Sequence, residues 1–381
     1  MLQNGTLTKP LKRPPPAAMK ERIIRAAYPS RLAERLLRLT SPACTAGFDL
    51  LADAFRRFDR GATARLHQNF KMAFPEMSEA ERADLIKRHW RARFQSELER
   101  LQLSGMPRRQ LLEYCRTRVE VEGEENIRAA CESPRPVVFF TPHYGSFPVG
   151  TMRVMMDVER HKVLSVFYDP PEASPTTAVY QGLFERLGCR AKILFNDKTA
   201  VLKGLRALRN GNALGIMPDV YDFNMGMMYV PFFGRLAVAM GGTAFFALKS
   251  NALLIPVYCW RRGRGRFVLN YGAPVELSRT GDLNEDIYLT TVEIFRRMEQ
   301  QLRAAPEHWV YWESLHERFS NGGHVALPHG AATWESQFGK LCAELAEEKS
   351  SLGRFLTTFE ARLLQHGRPA DAPLRRRTGT G

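Results

Sequence analysis

Between Arg118 and Ala304, short apolar runs alternate with longer amphipathic stretches, and this alternation restricts the fold more than any other property of the chain. Arg118–Gly123, Val137–Phe140, Val163–Phe167, Ala191–Phe195, Ala213–Met217, Leu253–Cys259 and Arg266–Tyr271 have the length and side-chain content of strands. Helices are predicted near 149–157, 176–188, 199–210, 240–250 and 285–304. Strand and helix in turn give an α/β class: a central, mostly parallel sheet flanked by helices on both faces.

The flanks read differently. Residues 43–105 are helical in pattern, with a capping box at Ser78–Glu81. Ile86, Trp90, Phe94, Leu98 and Leu101 then form one apolar stripe, which Gly105-Met106-Pro107 ends. Three regions follow: a basic arm over 1–40, a main domain over 41–320, and a helical extension over 321–381. Four prolines keep residues 1–18 extended or disordered. Met19–Leu39 reads as a basic amphipathic helix interrupted by Pro29, suited either to a membrane interface or to packing on the domain. The extension reads as two amphipathic helices, Ala332–Lys349 and Leu352–His366, before the Arg375–Arg377 tail.

Charge narrows the partners. The 55 Lys and Arg outnumber the 40 Asp and Glu, for a net charge of +15, which favours an acidic carrier protein, a phosphorylated lipid or an anionic membrane surface. Nucleic acid fits the charge, but no nucleic-acid-binding module is recognised, so it is set aside. Six scattered cysteines without a CxxC pair indicate neither a zinc site nor a disulfide framework, and so a cytoplasmic setting. No metal site is expected. The stretch most like a membrane span, Gly241–Trp260, is broken by Lys249, Asn251 and Pro256, and the polar start carries no secretory segment.

Two clusters could carry chemistry. Val137–Phe140 ends in Thr141-Pro142-His143, with Tyr144-Gly145-Ser146 next and a helix starting near Pro148. A histidine leaving a buried strand is where open α/β sheets place chemistry, and it titrates near neutrality, although a lone one is more often structural. Gly145 would let a substrate approach the backbone, and the NH groups near Gly145, Ser146 and the helix start would hold an oxyanion. The second cluster, Met217-Pro218-Asp219 through Asp222, ends another strand on the same sheet edge; read blandly, Asp219 caps a turn. Lys198, Arg235 and Arg261 are candidates for anionic parts of a substrate, or else solvated surface charges.

Taken together, ordered blocks over roughly residues 40–320 resemble the bacterial lipid A late acyltransferases (lauroyl/myristoyl acyltransferases), of the wider glycerophosphate-type acyltransferase superfamily. The blocks are Asn69–Pro75, Val137–His143, Leu205–Gly211, Pro218-Asp219, Val230–Gly234 with Ala237 and Gly241-Gly242, Ile255–Val257 with Arg261, and Pro306–Trp312. The resemblance implies transfer of a fatty acyl group from an acyl-carrier-protein or coenzyme A thioester to a hydroxyl of a lipid or glycolipid, without a cofactor. It also implies a catalytic dyad in which the histidine, here His143, is general base, and an Asp or Glu after four intervening residues orients it.

This chain departs from that pattern twice. Pro148 stands at the acidic position, so Asp219, Asp222 or a backbone carbonyl would have to orient His143. The family's usual N-terminal membrane span is replaced by the basic helix, which implies a peripheral protein on the cytoplasmic face of the inner membrane. Two other readings follow from these departures: acylation or condensation of a small metabolite, or a pseudoenzyme that binds acyl chains or acyl carrier protein.

Overall fold

The computed structural model describes residues 42–220, 227–263 and 265–320. The expected basic arm, the expected C-terminal helices and Asp222 lie outside these residues. Four helices come first: α1 (Pro42–Phe58), α2 (Arg60–Ala73), α3 (Glu79–Gly105) and α4 (Arg108–Arg118). The Ser78 capping box opens α3, with the Ser78 hydroxyl accepting from the Glu81 NH and the Glu81 carboxylate accepting from the Ser78 NH.

The alternating region then builds β1 (Val119–Glu122), α5 (Glu124–Glu132), β2 (Val137–Phe140), α6 (Phe147–Val158), β3 (Leu164–Tyr168), α7 (Pro175–Leu187), β4 (Ala191–Phe195), α8 (Ala200–Arg209) and β5 (Ala213–Ile216). A hairpin of β6 (Met227–Phe232) and β7 (Arg235–Met240) follows, then α9 (Gly242–Ser250), β8 (Leu253–Arg261), β9 (Phe267–Tyr271) and α10 (Leu283–Ala304). Two 3-10 turns and α11 (Leu315–Ser320) complete it. The sequence analysis placed no strands over the β6–β7 hairpin. Apart from Arg235 the two strands are apolar and lack the alternation that marks a half-buried strand, which is why they escaped it.

Seven strands form one sheet in the order β1-β9-β8-β2-β5-β3-β4. All pairings are parallel except β8 with β9. Alternate residues of β2 feed two separate cores: Val138 and Phe140 face one, Val137 and Phe139 the other, and all four are buried. A strand covered by helices on both sides needs apolar residues at every position, hence the unbroken Val-Val-Phe-Phe run. This buried middle strand delivers the chain to the sheet edge where the site lies.

Candidate active site

Register sets the geometry. In the parallel β2–β5 pair, Phe140 lies opposite Ile216. His143 and Asp219 each follow three residues later, so both emerge at the same level beyond the carboxyl ends of the strands. This is the crevice where open α/β sheets bind ligands. His143 Nδ1 lies 2.9 Å from Asp219 Oδ1, and the His143 backbone NH donates to Asp219 Oδ2 at 2.7 Å.

Asp219 is buried and held from several sides. The Trp309 indole NH donates to Oδ2 at 2.9 Å, and the Arg318 guanidinium donates to the Asp219 carbonyl. Burial works to raise the Asp219 pKa, but the charge and hydrogen bond of His143, the Trp309 bond and the Arg318 charge outweigh it and hold the carboxyl below its ordinary range. An ionised carboxylate only accepts, so Nδ1 carries the imidazole proton and Nε2 is the basic nitrogen. The edges of Phe147 and Tyr311 pack against the imidazole at 5.4 and 5.0 Å between ring centres.

The pair opens into a cleft of about 1550 Å³ whose walls come from both sides of the sheet. Val154, Leu164, Val166 and Tyr180 line it from one face, Ile216 and Phe246 from the other. The cleft wall also carries polar and charged groups, among them Glu97, Arg100, Asp169 and Thr177, so the space offers both apolar surface for a hydrocarbon chain and polar partners for a head group.

Several sequence expectations change here. Pro148 occupies the first turn of α6, buried at the cleft wall, and the carboxylate that reaches His143 comes from the end of β5. Gly145 has φ +55°, and a Cβ there would sit 2.1 Å from the Cys259 carbonyl oxygen. Its missing side chain thus admits strand β8 rather than a substrate. The Gly145 NH donates to the His308 carbonyl and the Ser146 NH to the Cys259 carbonyl, so neither is free to hold an oxyanion. The Ser146 hydroxyl donates to buried Glu99 at 2.5 Å. The first-turn NH groups of Phe147 and Val149 have no carbonyl partner within α6 and sit at the cleft wall.

The basic candidates separate from the site. Arg261 forms an ion pair with Glu99, lies over the Phe267 ring, and has its pKa lowered to about 10 by burial. It ties β8 to α3. Arg235 lies over the Phe319 ring, outside the cleft wall, and burial lowers its pKa. Lys198 is exposed beside Asn196 and Ala200, which do line the cleft. Sequence reasoning passed over Trp309, Arg318 and Glu99 as site residues. Trp309 had a signal, since it lies within the Pro306–Trp312 block; Arg318 and Glu99 had none that distinguishes them from surface charges. Among the described residues no group of three His, Cys, Asp or Glu could hold a metal ion.

The sequence model of the bacterial lipid A biosynthesis acyltransferases matches residues 35–321. The chain belongs to this family. Among curated acyltransferases, it is 26% identical to the lipid A biosynthesis lauroyltransferase of Escherichia coli over 269 residues, covering 69% of this chain and 80% of that protein. It is also 27% identical to the phosphatidylinositol mannoside acyltransferase of Mycobacterium tuberculosis over 193 residues, covering 50% of this chain and 57% of the relative. As a member of the acyltransferase family, the protein is an acyltransferase with an α/β fold, and its relatives act on lipid and glycolipid acceptors. Trp309 and Arg318, at the far end of the matched region, both support the Asp219 carboxylate or its backbone.

Proposed function

We propose that this acyltransferase moves a fatty acyl group from an acyl-carrier-protein or coenzyme A thioester to a hydroxyl of a lipid or glycolipid, with His143 as general base. The observation that carries the reading is the 2.9 Å contact between His143 Nδ1 and the buried Asp219 carboxylate in the wall of the large cleft. His143 Nε2 takes the proton of the acceptor hydroxyl as its oxygen attacks the thioester carbonyl carbon. Asp219 fixes the tautomer and stabilises the imidazolium that forms. Of the NH groups first assigned to the oxyanion, those of the helix start, Phe147 and Val149, are the proposed donors, without those of Gly145 and Ser146. Collapse of the tetrahedral intermediate breaks the C–S bond, and the thiolate leaves with the proton that His143 had taken. No cofactor is required beyond the thioester co-substrate.

The basic surface suits an acidic carrier protein and an anionic membrane. Among the described residues no helix is long and apolar enough to cross a membrane. We place the protein peripherally on the cytoplasmic face of the inner membrane.

The test is mass spectrometry of lipids and small metabolites from cells with and without the gene, complemented by wild type or His143→Ala. An acylated lipid that disappears and returns only with wild type supports the proposal. A lipid profile identical in all strains, with an acylated small metabolite lost instead, overturns the lipid acceptor. Full rescue by His143→Ala overturns the base.

A further inference from the structure

Helix α1 leaves much of its apolar stripe uncovered. Leu51, Phe55 and Phe58 recur at the four- and three-residue spacing of a core-facing stripe, yet all three are exposed, as is Leu50. Phe58 is 86% and Leu50 71% exposed. The polar side points inward: Asp49 accepts from Gln95 at 2.7 Å, Asp53 pairs with Arg91 at 2.6 Å, and Ala52 is fully buried between them. Packing on the domain therefore uses Asp49, Ala52 and Asp53, with one side of the Phe55 ring against Phe94 of α3 at 5.2 Å between centres, and leaves Leu50, Leu51 and Phe58 outward. Exposed Arg57 and Arg60 border that face. The neighbouring Asp59 turns its carboxylate to the Ala62 NH as the cap of α2.

We infer that the outward face of α1 is a docking surface for an anionic lipid bilayer, with Leu50, Leu51 and Phe58 entering the interface and Arg57 and Arg60 meeting lipid phosphates. Charge selects this occupant over two others. A second copy would bring another net +15 to the same basic rim. The preceding residues 1–41 carry nine Lys or Arg against two Glu and would bring like charge as well. A bilayer containing anionic lipid supplies both the apolar interior and the negative charge. Position adds a functional reason. Helix α3 packs on α1 through Arg91, Phe94 and Gln95, and its opposite side lines the cleft through Arg93, Ser96 and Leu103. Docking by α1 sets a wall of the cleft beside the membrane from which a lipid acceptor would enter. The inference deepens the peripheral placement proposed above and names the surface responsible.

The experiment is co-sedimentation of the full chain with vesicles of phosphatidylcholine alone or with added phosphatidylglycerol. Wild type partitions to the phosphatidylglycerol vesicles. Leu50→Ser with Phe58→Ser weakens partitioning at least about tenfold. Arg57→Glu with Arg60→Glu weakens it by roughly fivefold or more per arginine, only where anionic lipid is present. If the serine variant loses its native circular dichroism, the arginine variant alone decides. Failure of wild type to bind vesicles, or unchanged binding of the variants, overturns the inference. Unchanged vesicle binding with a lost dimer in light scattering assigns the face to a second copy; unchanged vesicle binding with a lower Tm assigns it to the chain's own preceding segment. Acyl transfer to a detergent-dispersed lipid acceptor is measured in parallel. Both variants retain it when only docking is impaired, so loss of docking and loss of the catalytic reading are read separately.

Discussion

At the scale of residues, the site turns on how His143 is oriented without an acid at position 148. Asp219 already occupies Nδ1, so a second carboxylate has no nitrogen to serve. Pro148→Glu is thus expected to leave kcat unchanged or lower it, because it would place an unpaired charge in a buried first turn. A rise in kcat would show that Asp219 is an incomplete substitute. Asp219→Asn keeps the size of the side chain but can present an NH to Nδ1 and stabilise the wrong tautomer; kcat should fall by about 10³–10⁴ with little change in KM. Trp309→Phe removes one donor from that carboxylate, worth about 1.5–3 kcal/mol to a charged partner. Asp219 also links folding to acid. Its folded pKa is depressed, so its stabilisation is present above the ordinary carboxylate value of 3.8 and is lost as pH falls through the lower folded value. Denaturant titrations of wild type and Asp219→Asn over pH 2–5 check this, since the variant should lack that acid limb.

At the scale of elements, the periodic parts of the fold were legible and the parts set by tertiary contact were not. The unbroken apolar run of β2 announced a strand buried on both faces, and the Ser78–Glu81 pair announced the start of α3. His143 was visible because it follows that strand. Its pairing with Asp219 was offered only as one alternative, because it depends on β2 and β5 lying side by side, a fact of topology rather than of local sequence. Gly145 shows the same limit. Its sequence position suggests substrate access, whereas its φ of +55° and the Cys259 carbonyl at 2.1 Å from an added Cβ show a backbone crossing. Gly145→Ala should accordingly be recovered largely as insoluble protein, through strain rather than lost chemistry. Glu99 and Arg261 join α3 to β8 through a buried ion pair that neither segment reveals alone. Glu99→Ala strands the arginine and should cost about 3–5 kcal/mol in denaturant titration. Adding Arg261→Met should recover part of that loss.

At the scale of the whole molecule, buried histidines set the response to mild acid. His89 is fully buried on α3, donates to the Glu307 carbonyl over 2.9 Å, and leaves Nε2 without a partner. Burial lowers its pKa to about 3, and burial likewise lowers that of His308 to about 4. Both are neutral when folded and bind protons when unfolded near 6.5, so the unfolded state takes up more protons below that pH. Their stabilisation is therefore complete above about pH 6.5 and is lost as pH falls toward their folded values. Asp219 acts only below the ordinary carboxylate range, which separates the two effects. His89→Asn can preserve a donor to Glu307 while removing the titrating ring. Its stability should change less than that of wild type between pH 7 and pH 4, as read from urea midpoints at each pH. Equal slopes in the two proteins would remove His89 from this account. Because α3 both carries His89 and walls the cleft, proton uptake by the His89 imidazole whenever α3 opens should favour local opening over unfolding of the sheet, and hydrogen exchange at pH 5 should show α3 opening ahead of β2 and β5.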